Sequence, residues 1–314
     1  MELGVDESYT LYIPGNTDMG GEITLTALTV WGALRGLETF AQLVSYQQSA
    51  GEQPTPGFYV QWTPMSIQDA PRYSWRGLLV DSGRHYLSKE LLERTVDTMA
   101  AMKLNVLHWH IVDAESFPYV SSQYTGRTIL YPILYIPYTY LTILYYKLRP
   151  ELQYKSAYHQ SASYSKDMIA DLISYARDRG VRIVPEFDTP GHTASIGQSY
   201  PDLIADCYDW LVETYGDDLR WPMFNDVALD VTKDDTKTFV KDIIDEMSGI
   251  FPDRFFHIGG DEVNQGCWNA VPSILAWMQT NGYATKDPAT QQWTYDFTAL
   301  QGSWTTYVQV SIVL

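Results

Sequence analysis

Four apolar runs, at 76–81, 105–113, 181–188 and 255–261, each close on an aspartate: Asp81, Asp113, Asp188 and Asp261. Helical spacing fills the gaps between them. Residues 89–103 place Leu92, Val96, Met99 and Met102 on one side. Ser165 caps a second helix with Ile169, Leu172, Ile173 and Ala176 inward, and Thr232 with Asp235 reads as a capping box before Phe239, Ile243 and Met247. Strand followed by helix followed by strand demands a parallel sheet, because parallel neighbours need a long crossover. In a (β/α)8 TIM-type barrel the strand C-termini form the catalytic face. A single aspartate there would serve equally as a helix N-cap. Four of them, with His and Glu beside them, argue for a site.

Ahead of this pattern, residues 7–13 and 22–30 alternate like strands. Residues 33–43 carry Leu34, Leu37, Phe40 and Leu43 at helical spacing, and another strand is expected near 58–62, so a small α/β unit precedes the barrel. After Trp268 come helical stretches at 274–279 and 297–309, then VSIVL. A complete barrel needs roughly 250 residues. The barrel is therefore read as stopping after about four strands.

With 38 acidic against 21 basic residues, the formal charge is -17, which disfavours nucleic acid or an anionic membrane as partner. Tryptophan and tyrosine are abundant and suit either a packed core or stacking on sugar rings. The opening MELGVDESYTLYI does not read as a secretory signal peptide, and no Asn-x-Ser/Thr acceptor occurs. Cys207 and Cys267 lack zinc-site spacing and are either two buried thiols or one bridge.

The chemistry turns on RFFHIGGDEVNQGCW, residues 254–268, where Asp261 and Glu262 are adjacent. Neighbours leaving a strand point to opposite faces, so they cannot act as a facing pair. One alternative is a metal-dependent hydrolase with His108, His110, His192 and Asp261 as ligands. Because His108 and His110 lie inside their strand, they are expected instead to be packed and hydrogen-bonded. A second alternative is a sugar-binding protein without catalysis. The third is glycoside hydrolysis, which takes a proton donor and a second carboxylate about 5 Å or more apart. Adjacent acids are poorly placed to straddle a sugar. A 2-acetamido sugar removes the difficulty, since its amide oxygen can attack the anomeric carbon in place of a protein nucleophile.

The motifs HIGGDE, FDTPGH (187–192), HWHIVD and RGLLVDSGRHYL (76–87) resemble, in order and separation, those of family 20 glycoside hydrolases, the β-N-acetylhexosaminidases. The resemblance implies that 1–70 is the C-terminal part of a small N-terminal α/β domain and 71–314 the N-terminal half of the catalytic barrel. It implies retaining, substrate-assisted removal of terminal β-linked GlcNAc or GalNAc from glycans or chitooligosaccharides, without cofactor or metal. Glu262 would be the general acid and then the base, in a partly apolar, carboxylate-rich pocket. Asp261 would hold the acetamido N–H and the oxazolinium charge, and His192 would link Glu262 to Asp113. Arg84 would bind hydroxyls at the far edge of the sugar, its alternative being an ion pair to Asp81 or Asp113. Asp81, Glu186 and Asp188 would be supporting residues. Cys207 and Cys267 would fall in the loops after the third and fourth strands, on the catalytic rim, where a disulfide bracing it is expected and implies an oxidising compartment; the resemblance implies an extracellular, vacuolar or lysosomal setting for the parent protein and a homodimer in the intact family member. The one departure inside a motif is Ala114, where many relatives carry a second aspartate after the first.

Residues 125–149, TGRTILYPILYIPYTYLTILYYKLR, fit none of this. The uncharged core at 129–146 is long enough to suggest a membrane span. Such a span would put the second and third barrel strands on opposite sides of a bilayer, and Pro132 and Pro137 would interrupt its helix. Without the segment, SFPYVSSQY joins PELQYKSAY and reads as one continuous loop. The segment is therefore read as extraneous, as translated intron sequence, and the VQVSIVL tail likewise. A product keeping it would expose apolar surface and an unclosed sheet edge and is expected to be insoluble or inactive. A version lacking it and extended to a full barrel should be active. Sequencing of transcripts across the locus should return messages without codons 125–149; messages that all retain them, with soluble active 314-residue protein, would refute this.

Overall fold

The computed structural model describes residues 2–15, 21–48, 56–124, 156–216 and 226–313; the 125–149 segment lies outside them. Chain contacts define two compact units. The first is Met1–Leu78 with Glu93–Leu107 and Ile173–Arg182; the second is Leu79–Leu92 with His108–Leu172 and Ile183–Leu314.

In the first unit, β1 (Tyr9–Ile13) is the centre of an antiparallel sheet, flanked by β2 (Thr24–Ala27) and by β5 (Met65–Asp69). The hairpin strands β3 (Val44–Gln47) and β4 (Gly57–Val60) pair separately. Alternation buries Tyr9, Leu11 and Ile13, and helix α1 (Val30–Leu43) packs with this set through Phe40 and Leu43. The expected leucine stripe is only partly right. Leu37 is 54% exposed, while the buried residues are Gly32, Arg35 and Gly36. A Cβ on Gly32 would stand 2.3 Å from the Ser8 carbonyl oxygen, so the helix comes as near the strand as a bare backbone permits. That approach brings Arg35 to Glu7, at 2.7 Å, and to the Gly180 carbonyl oxygen, at 2.7 Å. Glu7 also accepts from Arg76 at 2.6 Å and from Asn105 at 3.2 Å.

The strands β6 (Gly77–Asp81), β7 (Val106–His110) and β8 (Arg182–Glu186) form a second sheet in that order. Bonds join Asn105 N–H to Arg76, Arg182 N–H to Asn105, and Ser82 N–H to His110. Starts meet starts and ends meet ends, so the strands run parallel. The crossovers contain α2 (Lys89–Ala101), burying Leu92, Val96 and Met99, and α3 (Lys166–Arg177), burying Ile169, Leu172 and Ala176. Met102, expected inward, lies beyond α2 and is 70% exposed.

The fourth expected strand, at 255–261, does not form. His257 makes a single parallel bridge to Glu186, donating its N–H to the Pro185 carbonyl oxygen while its own carbonyl accepts from Phe187 N–H. Gly259 and Gly260 then turn to φ 58° and 107°, outside the β region, and the ladder stops. The capping box is also replaced. Helix α6 (Asp234–Ser248) starts after Lys233 without a side-chain cap, because the Thr232 hydroxyl donates to buried Asp230 at 2.6 Å. Between β8 and α6 lie α4 (Ala194–Ser199) and α5 (Tyr208–Tyr215). After it come α7 (Gln265–Asn269), α8 (Pro272–Thr280), the hairpin β9 (Ala284–Lys286) and β10 (Trp293–Tyr295), and α9 (Phe297–Val313). Helix α9 packs on α6 and buries Leu300, Trp304, Val308 and Ser311, so the helix continues into the tail read as foreign. Cys207, at the start of α5, and Cys267, in α7, are buried and form a disulfide. The buried-thiol alternative is thereby removed.

Arg35→Met should destabilise the protein by about 3 kcal/mol, because it strips one partner from a buried ion pair. Urea unfolding measures this. The double variant with Glu7→Gln should recover part of the loss.

Candidate active site

A cleft of about 560 Å³ opens over the C-terminal ends of the strands and is lined by Asp81, Arg84, His108, His110, Glu186, Asp188, His192, His257, Asp261 and Glu262. Period-two alternation explains the convergence. His108 with His110, and Glu186 with Asp188, are two residues apart and share a face. Both histidines are hydrogen-bonded and His110 is buried, as expected, whereas His108 is only partly buried, and both also line the cleft.

Asp113 is fully buried and accepts from His110 Nε2 at 2.7 Å, Ala114 N–H at 2.6 Å, Arg84 Nη2 at 3.2 Å and His192 Nδ1 at 3.3 Å. Burial alone would raise its carboxyl, yet the bonds from His110 and His192 outweigh it and hold the group far below the usual carboxylate range. Glu186 is similarly buried and collects three imidazoles: His108 at 2.7 Å, His110 at 3.0 Å and His257 at 2.8 Å. Its carboxyl is also driven far down against the effect of burial. His110 therefore lies between two carboxylates, and their hydrogen bonds overcome burial and push it up to about 10.

His192 follows the turn after FDTPG with φ 57°. Its Nδ1 faces Asp113, and its buried Nε2 has no hydrogen-bond partner among the described residues. Carboxylate oxygens of Glu262, Asp261 and Asp188 lie 3.6, 3.7 and 3.8 Å from that nitrogen. Burial would lower the imidazole, but Asp113, Asp188 and Asp261 raise it, which favours the cation. Asp188 is pushed up to about 7, chiefly by burial and with Asp261 adding, against the Gly260 N–H that it accepts at 2.7 Å. Glu262 itself sits at φ 50° with its side chain 65% exposed, so the partly apolar enclosure expected for it is lacking among the described residues. Adjacent Asp261 is 74% exposed.

Arg84 pairs with Asp81 at 2.8 Å and with Asp113 at 3.2 Å, so both ion pairs weighed as alternatives to sugar binding are present, and it still lines the cleft. Among the described residues, three groups of side chains have the spacing to hold a cation: His108, Glu186 and His257; His110, Glu186 and Asp188; Asp188, His192 and Asp261. The four metal ligands weighed from the sequence are divided among these groups and do not form one set. His257 was missed as the third imidazole on Glu186. The signal was available in the HIGGDE run, where it precedes the acids by four residues.

The glycosyl hydrolase family 20 catalytic-domain model matches residues 73–130 and 140–306, and a beta-acetyl hexosaminidase-like model matches 1–43. The chain belongs to glycosyl hydrolase family 20. It is 37% identical to beta-hexosaminidase subunit A1 of Dictyostelium discoideum over 287 residues, 91% of this chain and 45% of that one. It is 39% identical to human beta-hexosaminidase subunit beta, over 89% of this chain and 42% of the relative. The solved Flavobacterium johnsoniae chitobiase superposes with a TM-score of 0.72 at 28% identity, over 99% of this chain and 38% of that one. The fold is thus α/β, of the (β/α)8 TIM-type barrel class. The chain spans less than half the length of these relatives.

Because the folded-state value of His110 is raised to about 10, its contribution to stability is complete below the ordinary value of 6.5 and is lost as pH rises toward 10. The urea midpoint should fall between pH 7 and 10. His110→Gln should flatten that slope, and an unchanged slope would remove this role for His110.

Proposed function

We propose that the chain carries the acid–base half of a β-N-acetylhexosaminidase site, acting on terminal β-linked GlcNAc or GalNAc of glycans or chitooligosaccharides by substrate-assisted, retaining hydrolysis. The observation that carries this reading is His192, a buried imidazole with Asp113 on one nitrogen and the adjacent pair Asp261 and Glu262 near the other. Glu262 protonates the leaving oxygen and then activates water. The acetamido oxygen attacks the anomeric carbon and breaks the glycosidic bond with retention after two steps. Asp261 takes the acetamido N–H and balances the oxazolinium charge. His192, held by Asp113, orients Glu262 and relays charge between the two carboxylates. Arg84, fixed by Asp81 and Asp113, offers its remaining N–H groups to sugar hydroxyls.

The relatives' names, beta-hexosaminidase and chitobiase, support this substrate class. A second reading, sugar binding without turnover, is favoured by the exposure of Asp261 and Glu262, at 74% and 65%. No helix among the described residues is long and apolar enough to cross a membrane. The disulfide supports an oxidising compartment, extracellular, vacuolar or lysosomal, for the parent protein. A homodimer of the intact protein belongs to the same proposal.

In a version lacking 125–149 and extended to a full barrel, Glu262→Gln should lower kcat on N-acetyl-β-glucosaminides with poor leaving groups by roughly 10²-fold or more, and on activated aryl substrates much less. Rates should be unchanged by a chelator. An unaltered Glu262→Gln enzyme would remove the acid assignment, and loss of activity with chelator would restore the metal hydrolase.

A further inference from the structure

We propose that helix α9 carries two positioning residues, Gln301 and Trp304, which clamp the loops that present Glu262 and His192. The residue before the acid pair is held from both sides. Gly260 donates its N–H to buried Asp188 at 2.7 Å, and its carbonyl oxygen accepts from Gln301 Nε2 at 2.8 Å. One helical turn further, Trp304, itself buried, donates its indole N–H to Thr189 Oγ1 at 3.1 Å. Thr189 stands three residues before His192. Positions three apart share a helix face, so one surface of α9 reaches both loops.

The clamp answers a specific structural need. The segment carrying Asp261 and Glu262 has one bridge to the sheet and no strand ladder to set its course. It then passes through φ 58°, 107° and, at Glu262, 50°. A glutamate held in the left-handed region is disfavoured relative to extended backbone and persists only where its surroundings over-determine it. On one side that determination comes from Asp188, whose Oδ1 would lie 1.9 Å from a Cβ on Gly259. On the other it comes from Gln301. The loops also touch each other: a Cβ on Gly191 would stand 3.1 Å from the Asp261 carbonyl oxygen, so displacing one displaces the other. Helix α9 is anchored in turn against α6, with Leu300, Trp304 and Val308 buried and the Tyr307 hydroxyl donating to the Lys237 carbonyl oxygen at 2.8 Å.

The catalytic meaning of the clamp rests on the proposed function; the clamp itself does not. Hydrogen exchange measured by mass spectrometry on the 314-residue chain tests it directly. Gln301→Leu and Gln301→Glu should each speed exchange of the Gly260 amide, whose N–H is held by Asp188, by about tenfold, the factor that follows when one hydrogen bond of ordinary strength is lost. Peptides from the α6 and β1 regions should be unchanged. The Gln301→Glu defect, taken as a ratio to wild type at each pH, should shrink as pH falls toward 4, where a protonated carboxyl regains a donor for Gly260. Trp304→Phe removes the indole N–H together with part of the buried ring, and should speed exchange of the Leu229 amide, which is held by the Pro190 carbonyl oxygen. Ratios within twofold of wild type for the Gly260 amide in both Gln301 variants would overturn the proposal. In the version lacking 125–149 and extended to a full barrel, a second arm compares turnover of poor and activated leaving groups: a misplaced acid loses about tenfold on the former and little on the latter. Faster exchange together with equal loss on both substrates would leave the clamp standing and overturn the acid assignment.

Discussion

The site depends on one imidazolium. His110 reaches Asp113 with Nε2 and Glu186 with Nδ1, at 2.7 and 3.0 Å, and both carboxylates are almost wholly buried. Two such charges cannot be left unpaired in the interior, where the desolvation penalty of each is several kcal/mol. A cation between them permits both to remain ionised. Once ionised, each organises a different part of the cleft. Asp113 gathers Arg84 and His192, and Glu186 gathers His108 and His257.

The two acids in HIGGDE are consequences of that arrangement rather than its origin. His257 is drawn to Glu186 by its side chain and by one backbone bridge, and the chain then turns through two glycines. Extended geometry would throw Asp261 and Glu262 to opposite faces. The left-handed backbone at Glu262 instead leaves both carboxylates within 3.7 Å of His192 Nε2, on the same side of the cleft. Two acids adjacent in sequence can therefore share one imidazole.

Much of this was legible from local patterning. The three parallel strands and their crossover helices follow from periodicity, and motifs carried on a few consecutive residues single out Asp113, Asp261 and Glu262, which the fold gathers around His192. Expectations failed where a distant partner competed for a local group. Thr232 resembled a capping residue until Asp230 took its hydroxyl. Leu37 resembled a core residue until Gly32 and Gly36 brought a different face of α1 to the sheet. The fourth strand was ended by glycine φ angles that an apolar run does not announce.

The sequence by itself determined the α/β alternation and the family's motifs, because these are short-range properties written in residue type and spacing. Only the tertiary structure decided that His110 bridges two buried carboxylates, that Cys207 and Cys267 pair across 60 residues, and that Gln301 reaches the carbonyl before Asp261 and Glu262. The physical reason is the same in each case. Periodicity states which side of an element is inward, whereas a hydrogen bond or a disulfide depends on the distance between two elements, and packing alone sets that distance.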